Sequence, residues 1–448
     1  MSELPGFETA AQHAGNVPHR ARFAVLARQF PPFTPRQWRV FWISTTAGFF
    51  DSYDSALLSL ALRQIQNGLG IAEAGLGAML SAIRLGNLGA LLIAPLADIY
   101  GRRRLLLYTI VGYTLFTGLS AFAPHARSFV VAQVLARAFS AAEATISLVI
   151  LAEEVDAAVR GWALGMQGAL AISGYGLAAI VFAFIAVVPF GWRGLYALAL
   201  IPLVLLIPLR RVLPESRRFE AEVAAGRRPS SLLAPIVALV KASPRRLATI
   251  SIVWFLYALG VAPANAFIAK YLQEVHHWSP ANISSLYVFG GAIGILGNIT
   301  AGRVSDRFGR RTMGVVFMSA GPALQLMVYS VAGRSVIACW IAWLFCDQAA
   351  MTILNAYGTE LFPTSQRAAA GSALLIAKSG GGALGLLLET IFYATAGSHW
   401  RAIRWLLGFW FAAAVLMLIL FPETAGRELE AIAPEAAAAP SIEQSDRQ

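Results

Sequence analysis

Long apolar runs alternate with short polar segments along almost the whole chain. The runs are about 20 to 28 residues long, enough to cross a hydrocarbon core of roughly 30 Å as a helix. A helix that is apolar on every side leaves no polar face for water, so these runs are typical of membrane spans. The pattern predicts twelve spans in two sets of six. They cover residues 38–62, 73–97, 105–124, 128–152, 162–189 and 194–213, and then 247–273, 281–303, 312–333, 335–359, 368–396 and 401–421.

Three polar segments flank these two sets. Residues 1–37 predict a cytoplasmic tail, residues 214–246 a cytoplasmic linker, and residues 422–448 a second cytoplasmic tail. The middle of the linker is apolar but short and lies between arginines, which is typical of an amphipathic helix on a membrane surface. The chain therefore divides into two six-helix halves, at 38–213 and 247–421.

Motifs of the first half return in the second half at a nearly constant spacing. Three separate motifs repeat in this way, which indicates a duplicated chain, a common origin of transporters. The matched residues, at offsets of 207 or 208 positions, are Asp98 with Asp306, Gly101 with Gly309, Arg102 with Arg310, Arg103 with Arg311, Glu153 with Glu360, Arg160 with Arg367, and Pro214-Glu215-Ser216 with Pro422-Glu423-Thr424.

The composition agrees with a membrane protein. Hydrophobic residues make up 57% and charged residues 13% of the chain, and the mean hydropathy is +0.63, whereas a soluble domain has roughly 25% charged residues. The net charge of +11 would indicate nucleic acid binding if the basic residues shared one solvated domain. Instead, roughly 25 of the 35 Lys and Arg residues fall on one predicted side of the membrane. We therefore predict a multi-pass protein of the cell inner (plasma) membrane, with both termini cytoplasmic and no nucleic acid partner.

The stretch at Asp98 and its copy at Asp306 resemble the signature loop of the major facilitator superfamily, G-x-x-x-D-x-x-G-R-R. Other marks resemble the branch that holds sugar porters and metabolite:proton symporters: Arg137, Glu153, Arg160, Pro214-Glu215-Ser216, Glu360 with Pro363, Arg367 and Pro422-Glu423-Thr424. The chain departs from that pattern at Ala94, where the loop usually has Gly, and between Arg137 and Glu143, where these symporters usually have glycines. The resemblance implies an all-α integral membrane protein of the major facilitator fold, with twelve transmembrane helices in two pseudo-symmetric six-helix bundles. It also implies a secondary active transporter, not an enzyme.

Charged residues surround these loops on the predicted cytoplasmic side. Asp98 lies close to Gly101, which permits a tight turn, and to arginines that can pair with a carboxylate. Glu153 and Glu360 end the fourth and tenth spans on the same side. We predict a cytoplasmic gate of ion pairs that close in one conformation and open in another; solvated loop charges are the alternative. Its residues are Asp98, Gly101, Arg102, Arg103, Glu153, Arg160, Asp306, Gly309, Arg310, Glu360 and Arg367.

Ionisable residues inside the spans are costly, at roughly 2.5 to 3.5 kcal/mol for a charge at the helix centre. Asp51 and Asp54 stand three apart in the first span, so they share a face. Two carboxylates that close cannot easily both ionise in a low dielectric, so one is expected to take up and release a proton. The family resemblance implies that Arg137 of the fourth span acts with such an aspartate. We predict Asp51, Asp54, Arg137 and Glu143 as proton-coupling residues; a permanent ion pair that holds the bundle together is the alternative.

Cations inside the spans predict the charge of the substrate. Arg84 in the second span and Lys378 in the eleventh favour an anion over a neutral sugar. Lys378 is followed by Ser379 and three glycines, which allow a backbone or ligand to approach closely. For Tyr53, Tyr175, Tyr257 and Asn265, a role in helix packing is the alternative. For Asp347, the alternatives are a second proton site and a polar contact that supports the helix packing. The predicted substrate-binding residues are Arg84, Tyr53, Tyr175, Tyr257, Asn265, Asp347 and Lys378.

The sequence has no nucleotide-binding glycine loop and no histidines at metal-ligand spacing, so neither ATP, a metal nor another cofactor is expected. We predict a monomer whose partners are a small-molecule substrate, protons and the lipid bilayer. The predicted function is proton-coupled symport of a small anionic organic metabolite or a sugar by alternating access. A proton-driven efflux antiporter for drugs or metabolites and a transporter-like nutrient sensor are the alternatives.

Overall fold

The computed structural model describes residues 33–200, 234–363, 366–427 and 432. Within these ranges the chain forms helices and no β-strand. The helices before the linker are α1 (Pro35–Leu60), α2 (Leu62–Leu69), α3 (Leu76–Leu85), α4 (Ala90–Ile93), α5 (Ala97–Tyr100), α6 (Arg102–Ala121), α7 (Ala126–Glu154), α8 (Ala157–Ala183) and α9 (Trp192–Ala197). Those that follow are α10 (Ala234–Ala242), α11 (Pro244–Glu274), α12 (Pro280–Phe308), α13 (Arg310–Val328), α14 (Ser335–Glu360), α15 (Arg367–Ala396) and α16 (His399–Leu420).

Several expectations fall partly outside the described residues. These are the tail at 1–32, the end of the sixth span with the linker up to 233, and most of the C-terminal tail. Where both can be compared, predicted and observed helix ends differ by up to six residues, as for the span predicted at 162–189, whose helix α8 ends at Ala183. Residues 184–189 are apolar but form turns, because hydrophobicity does not distinguish a helix from an apolar turn at the membrane surface.

Eight helices in the described part of the chain are long and apolar enough to cross a membrane. Helices α1, α6 and α13 have 26, 20 and 19 residues and so have comparable length, but they are more polar. Helix α1 starts at Pro35, three residues before the predicted span, because Thr34 and Gln37 form a capping box. This start signal is present in the sequence and precedes the apolar run.

Short 3₁₀ turns at Gly86–Gly89 and Ala94–Leu96 interrupt the α-helix of the second span. Gly86 and Gly89 lie against the Val134 carbonyl and the Ala138 side chain of α7, and a Cβ atom at either glycine would collide there. The glycines therefore allow the second span to approach α7 closely, which brings the α3 residues near the middle of α7.

The two halves pack against each other through matching pairs of spans. Helix α3 of the second span contacts α15, and α8 contacts α12, while α1 contacts α11. Under the duplication, the second span corresponds to α12 and α8 to α15, so the first two interfaces are equivalent to each other. We call the end that carries Thr34, α10 and Phe421 the linker end, and the opposite end the distal end.

Polar bonds join the halves at the distal end. Each donor is a serine hydroxyl or a glutamine amide, and each acceptor belongs to the other half. The bonds are Ser59 to the Asn265 carbonyl at 2.8 Å, Gln64 to Gln273 at 2.6 Å, Ser81 to the Ala383 carbonyl at 2.7 Å, and Ser284 to the Ala179 carbonyl at 2.5 Å.

Candidate functional site

A buried ion-pair cluster joins α1 and α7 at mid-length. Asp54 Oδ2 lies 3.0 Å from Arg137 Nη2, and Asp51 Oδ1 lies 3.8 Å from Arg137 Nη1. Ser55 also accepts a hydrogen bond from Arg137, and the Ser140 hydroxyl donates to Asp51 at 2.6 Å. The structure thus brings both predicted aspartates to the predicted arginine. The two serines were missed, although each stands on the matching face, Ser55 four residues after Asp51 and Ser140 three after Arg137.

The two aspartates differ in access. The Asp54 side chain is 1% exposed, whereas that of Asp51 is 28% exposed. The Asp51 carboxyl group is therefore partly accessible, whereas that of Asp54 is buried in its ion pair with Arg137.

Glu143 adds a third carboxyl group beside this cluster. It is 1% exposed, and among the described residues its Oε2 atom has no hydrogen-bond partner. It interacts electrostatically with Asp51. Two carboxyl groups therefore lie beside the Arg137 guanidinium group, and a third, that of Glu143, lies near Asp51.

Arg84 and Lys378 lie at the interface of the halves on the side of α3 and α15. The Arg84 side chain packs against Gly382, where a Cβ atom would collide with it, and its buried Nε atom has no hydrogen-bond partner among the described residues. Lys378 repels Arg84 electrostatically, and its Nζ atom stands 5.2 Å from the centre of the Trp254 ring. Trp254 was not among the predicted site residues. Gly382 adjoins the Arg84 side chain, and Gly381 adjoins the Phe255 carbonyl. The glycines after Lys378 therefore allow neighbouring groups to approach closely, as the sequence predicted.

Asp347 is held by the Tyr257 hydroxyl, which donates a hydrogen bond of 2.6 Å to its Oδ1 atom. It also attracts Lys378. Tyr257 packs edge-on against Trp254 and Trp410. The Asp347 carboxylate and the Lys378 side chain therefore lie beside aromatic rings. The structure therefore brings together four of the predicted substrate residues: Arg84, Tyr257, Asp347 and Lys378.

Of the other three predicted substrate residues, Tyr175 lies near this group, whereas Asn265 and Tyr53 make contacts elsewhere. Tyr175 is 43% exposed and interacts electrostatically with Arg84 and Arg137, so it lies at the same site. Asn265 is half-buried, and its main-chain carbonyl accepts the bond from Ser59. Tyr53 is 1% exposed and donates to the Leu195 carbonyl at 3.0 Å, a contact that packing explains.

The loops at the linker end repeat one geometry in both halves. Gly101 has φ 97° and ψ 136°, and Gly309 has φ 95° and ψ 134°, a conformation that a Cβ atom disfavours. Ion pairs join the residue after each glycine to a helix end later in the same half, Arg102 to Glu153 near the end of α7 and Arg310 to Glu360 at the end of α14. Each pair lies within one half.

The remaining predicted gate residues also lie at the linker end. Arg160 donates to the Val155 carbonyl at 3.5 Å, and Arg367 donates to the Phe362 carbonyl at 3.3 Å, which are equivalent contacts under the duplication. Asp306 is 61% exposed and pairs with Arg310 at 3.0 Å. Arg103 is half-buried in the first turn of α6. The Asp98 side chain lies outside the described part of the structure.

This arrangement of helices and buried charges defines a helical membrane protein with a polar site between its two halves. The chain matches the family model described as Major Facilitator Superfamily over residues 45–347 and 265–444. It therefore belongs to the Major Facilitator Superfamily. The predicted all-α fold of twelve membrane helices in two halves is confirmed, and residues 201–213 of the sixth span lie outside the described residues. The protein is a multi-pass membrane transporter and not an enzyme.

Individual relatives extend this similarity along most of the chain. A probable 4-methylmuconolactone transporter of Cupriavidus pinatubonensis is 27% identical over 91% of this chain and 96% of its own. A 4-hydroxybenzoate transporter of Pseudomonas aeruginosa is 26% identical over 83% and 88%. The solved structure of a D-xylose-proton symporter matches with a TM-score of 0.69 and 19% identity, over 88% of this chain and 99% of the symporter.

Within the described residues, no group of three or more His, Cys, Asp or Glu side chains could hold a metal ion.

Proposed function

We propose that this transporter imports a small organic anion, an aromatic carboxylate in particular, together with a proton by alternating access. The observation that carries the proposal is the arrangement of Arg84 and Lys378. Two cations face each other at the interface of the halves, and the Arg84 Nε donor has no partner among the described residues. Asp347 offsets part of the charge of Lys378, and the Arg84 donor without a partner favours an anionic group of the substrate beside these cations.

The aromatic rings beside these cations support the class of substrate. Tyr175 is 43% exposed near Arg84, and Trp254 and Tyr257 are buried aromatic neighbours of Lys378 and Asp347. A planar aromatic acid could stack on the exposed Tyr175 ring while its carboxylate meets Arg84. The 4-hydroxybenzoate relative supports the same chemistry.

The cluster of Asp51, Asp54 and Arg137 supports the proton coupling. Arg137 pairs with Asp54, and Asp51 is open enough to exchange a proton. In the proposed cycle, protonation of Asp51 weakens its attraction for Arg137. This allows the two halves to move relative to each other while the substrate is bound between them.

The positions of the basic residues support an orientation with the linker end in the cytoplasm. Because the halves are joined at the distal end, the site would then open to the cytoplasm in this conformation. The basic residues near the linker end include Arg102, Arg103, Arg104, Arg245, Arg246, Arg310, Arg311 and Arg367.

A sugar is the second candidate, favoured by the hydrogen-bonding pair Tyr257 and Asp347, which could bind hydroxyl groups. The solved D-xylose-proton symporter with the same fold supports this alternative.

Uptake into proteoliposomes would test the proposal. With an acidic exterior, we expect accumulation of labelled 4-hydroxybenzoate in preference to labelled D-xylose. Arg84→Gln should raise KM for the acid about tenfold to a hundredfold, because a hydrogen bond to a charged group contributes about 1.5 to 3 kcal/mol. Arg84→Lys should raise KM for the acid by a smaller factor than Arg84→Gln.

The matched control is Arg334→Gln, which changes an exposed arginine at the distal end and should leave KM unchanged. Accumulation of D-xylose alone would support the sugar, and acid-driven export would support the antiporter. An unchanged KM in Arg84→Gln would contradict the proposed anion site.

A further inference from the structure

A second cluster of buried ionisable side chains lies at the distal end, away from the site above. It contains Glu73 at the start of the second span, Lys270 on α11, Glu389 on α15 and His399 at the start of α16. Lys270 and Glu389 are 0% exposed, and His399 is 5% exposed. Buried ionisable groups in a membrane protein are costly and so point to a function.

The cluster connects the two halves through Glu73. This carboxylate lies 3.0 Å from Lys270 Nζ and 2.8 Å from His399 Nε2, both of which belong to the other half. The second ring nitrogen of His399, Nδ1, lies 2.5 Å from Glu389 Oε1. The imidazole ring is therefore in contact with a carboxyl group at each nitrogen atom.

The number of protons in this triad follows from the chemistry of its groups. Each of the two hydrogen bonds needs one proton. A neutral imidazole carries one N–H, and ionised carboxylates can only accept. The triad thus needs one proton more than a neutral histidine and two carboxylates provide, whether that proton sits on the ring or on a carboxyl group.

We propose that Glu73, His399 and Glu389 form a proton-binding site that holds one proton while the distal end is closed and releases it when the halves part. On opening, Glu73 moves away with the first half, and His399 and Glu389 then share one hydrogen bond, which needs one proton. The extra proton can leave. Acidification therefore favours the closed distal end. The inference rests on the alternating access proposed above, but it concerns a different site from Asp51.

The charges around the triad agree with a bound proton. The acidic groups Glu73, Glu274 and Glu389 stand against Lys270 and Arg63, so one added positive charge balances the cluster. Lys270 Nζ lies 2.5 Å from Glu274, and Arg63 Nε lies 3.8 Å from Glu274. The other titratable groups that face the triad or its neighbours are Tyr393 of α15, Tyr271 of α11, Tyr329 of α13 and, further out beside Tyr271, His276 and Arg404.

The surroundings also limit how the proton enters. The rings of Phe267 and Tyr393 stack on His399, with centroids 4.7 and 4.3 Å away. Gly77 lies directly against Glu389, and a Cβ atom there would collide with it. Glu73, at 43% exposure, is the member of the triad that solvent reaches. Proton exchange is thus tied to the position of Glu73, and so to the contact between the halves.

Distances between spin labels at the distal end would test the proposal. The labels replace the exposed residues Asn67 and Ala281, one in each half, in a carrier with Cys339→Ser and Cys346→Ser. Asp51→Asn is added so that the proposed central proton site does not contribute. As the pH falls from about 8 to about 5, the ratio of closed to open distances should rise, by at most tenfold per pH unit for one proton.

The decisive variant is Glu389→Gln in this background. The amide supplies an N–H to His399 in place of the bound proton, so the distal end should close at every pH and the slope should vanish. His399→Gln should also abolish the slope and serves as a second variant. The control is His277→Asn at the same end, where the exposed residue has φ 56°, a conformation that Asn tolerates. This control should keep the slope.

Two results would overturn the proposal. One is a labelled carrier that shows both the closed and the open distance in a ratio that does not change with pH. The other is a Glu389→Gln variant in which this ratio depends on pH as it does in the labelled carrier. A single distance at every pH would also overturn it, together with alternating access. By contrast, full proton-driven accumulation by Asp51→Asn would refute the central coupling site and leave a Glu389-dependent slope intact, so the two failures are distinguishable.

Discussion

At the scale of single residues, the environment of each aspartate decides its chemistry. Asp51 and Asp54 have the same side chain and share a helix face, yet one is 28% exposed and the other 1%. Their spacing in the sequence predicts that they lie together. It does not predict which one Arg137 covers, because that depends on the position of α7 against α1.

We expect Asp51→Asn to lose proton-driven accumulation while substrate counterflow continues, because the amide cannot take up and release a proton at neutral pH but keeps the shape of the side chain. Uptake and counterflow in the same proteoliposomes would measure both. Asp156→Asn, an exposed aspartate at the start of α8, is the control and should behave as the unmodified carrier. Full accumulation by Asp51→Asn would contradict the role of Asp51.

Glu423 predicts a pH dependence of stability. Its carboxylate accepts hydrogen bonds from the backbone N–H groups of Arg310, Arg311, Thr424 and Ala425, at 2.7 to 3.1 Å. Burial raises the pKa of Glu423, but these donors outweigh burial and lower the pKa below its ordinary value of 4.5. The stabilisation is therefore present above that value and is lost as the pH falls through the lower pKa of the folded state.

Glu423→Gln should lower the midpoint of thermal unfolding at neutral pH, and the difference from the unmodified protein should shrink as the pH falls below about 4.5. Thermal unfolding of the purified proteins at several pH values would measure it. Asp156→Asn, which removes an exposed carboxylate at the start of α8, controls for general effects of charge removal. A difference that grows on acidification would show that the carboxylate is not stabilised in this way.

At the scale of elements, the duplicated loop shows how a local sequence signal becomes structure. Gly101 and Gly309 have nearly the same backbone angles, and Arg160 and Arg367 contact equivalent carbonyl groups. The repeat in the sequence predicted these equivalences, because a glycine turn and a short-range contact depend on neighbouring residues. The close approach of Gly86 and Gly89 to α7 was not predicted, since it depends on the surface of α7.

Gly309→Ala should destabilise the protein by about 1 to 3 kcal/mol, because an alanine is strained at this backbone conformation. Its Cβ atom would also lie 2.6 Å from Glu423 Oε2. The midpoint of thermal unfolding should fall accordingly. Gly302→Ala lies in open space within α12 and is the control, for which we expect no loss. Equal stability of the two variants would contradict the strain at Gly309.

At the scale of the whole molecule, the halves are joined at the distal end and must part there if access alternates. The side chains of Arg63 and Glu274 approach to 3.8 Å across this contact, and both are partly exposed. They therefore provide positions at which the contact can be held closed.

We expect a short, reducible cross-link between Arg63→Cys and Glu274→Cys, with both native cysteines replaced by serine, to block transport. Reduction should restore it, and a reagent that modifies each cysteine singly should have less effect. Uptake before and after cross-linking is the measurement. Continued uptake by the cross-linked carrier would mean that the distal contact does not open during transport.

The sequence by itself determined the membrane spans, the duplication and the family, because hydrophobic length and short motifs are properties of consecutive residues. It also indicated the central charges, since a charge inside an apolar run stands out against its neighbours. The resemblance implied the meeting of Arg137 with an aspartate of the first span, and the tertiary structure alone decided the pairs for which the sequence carries no signal. Glu73 and His399 stand 326 positions apart and lie at the ends of spans, where charged residues are common, so their sequence context carries no signal of the contact. Their pairing depends on how two distant helices pack, and packing is a property of the whole molecule.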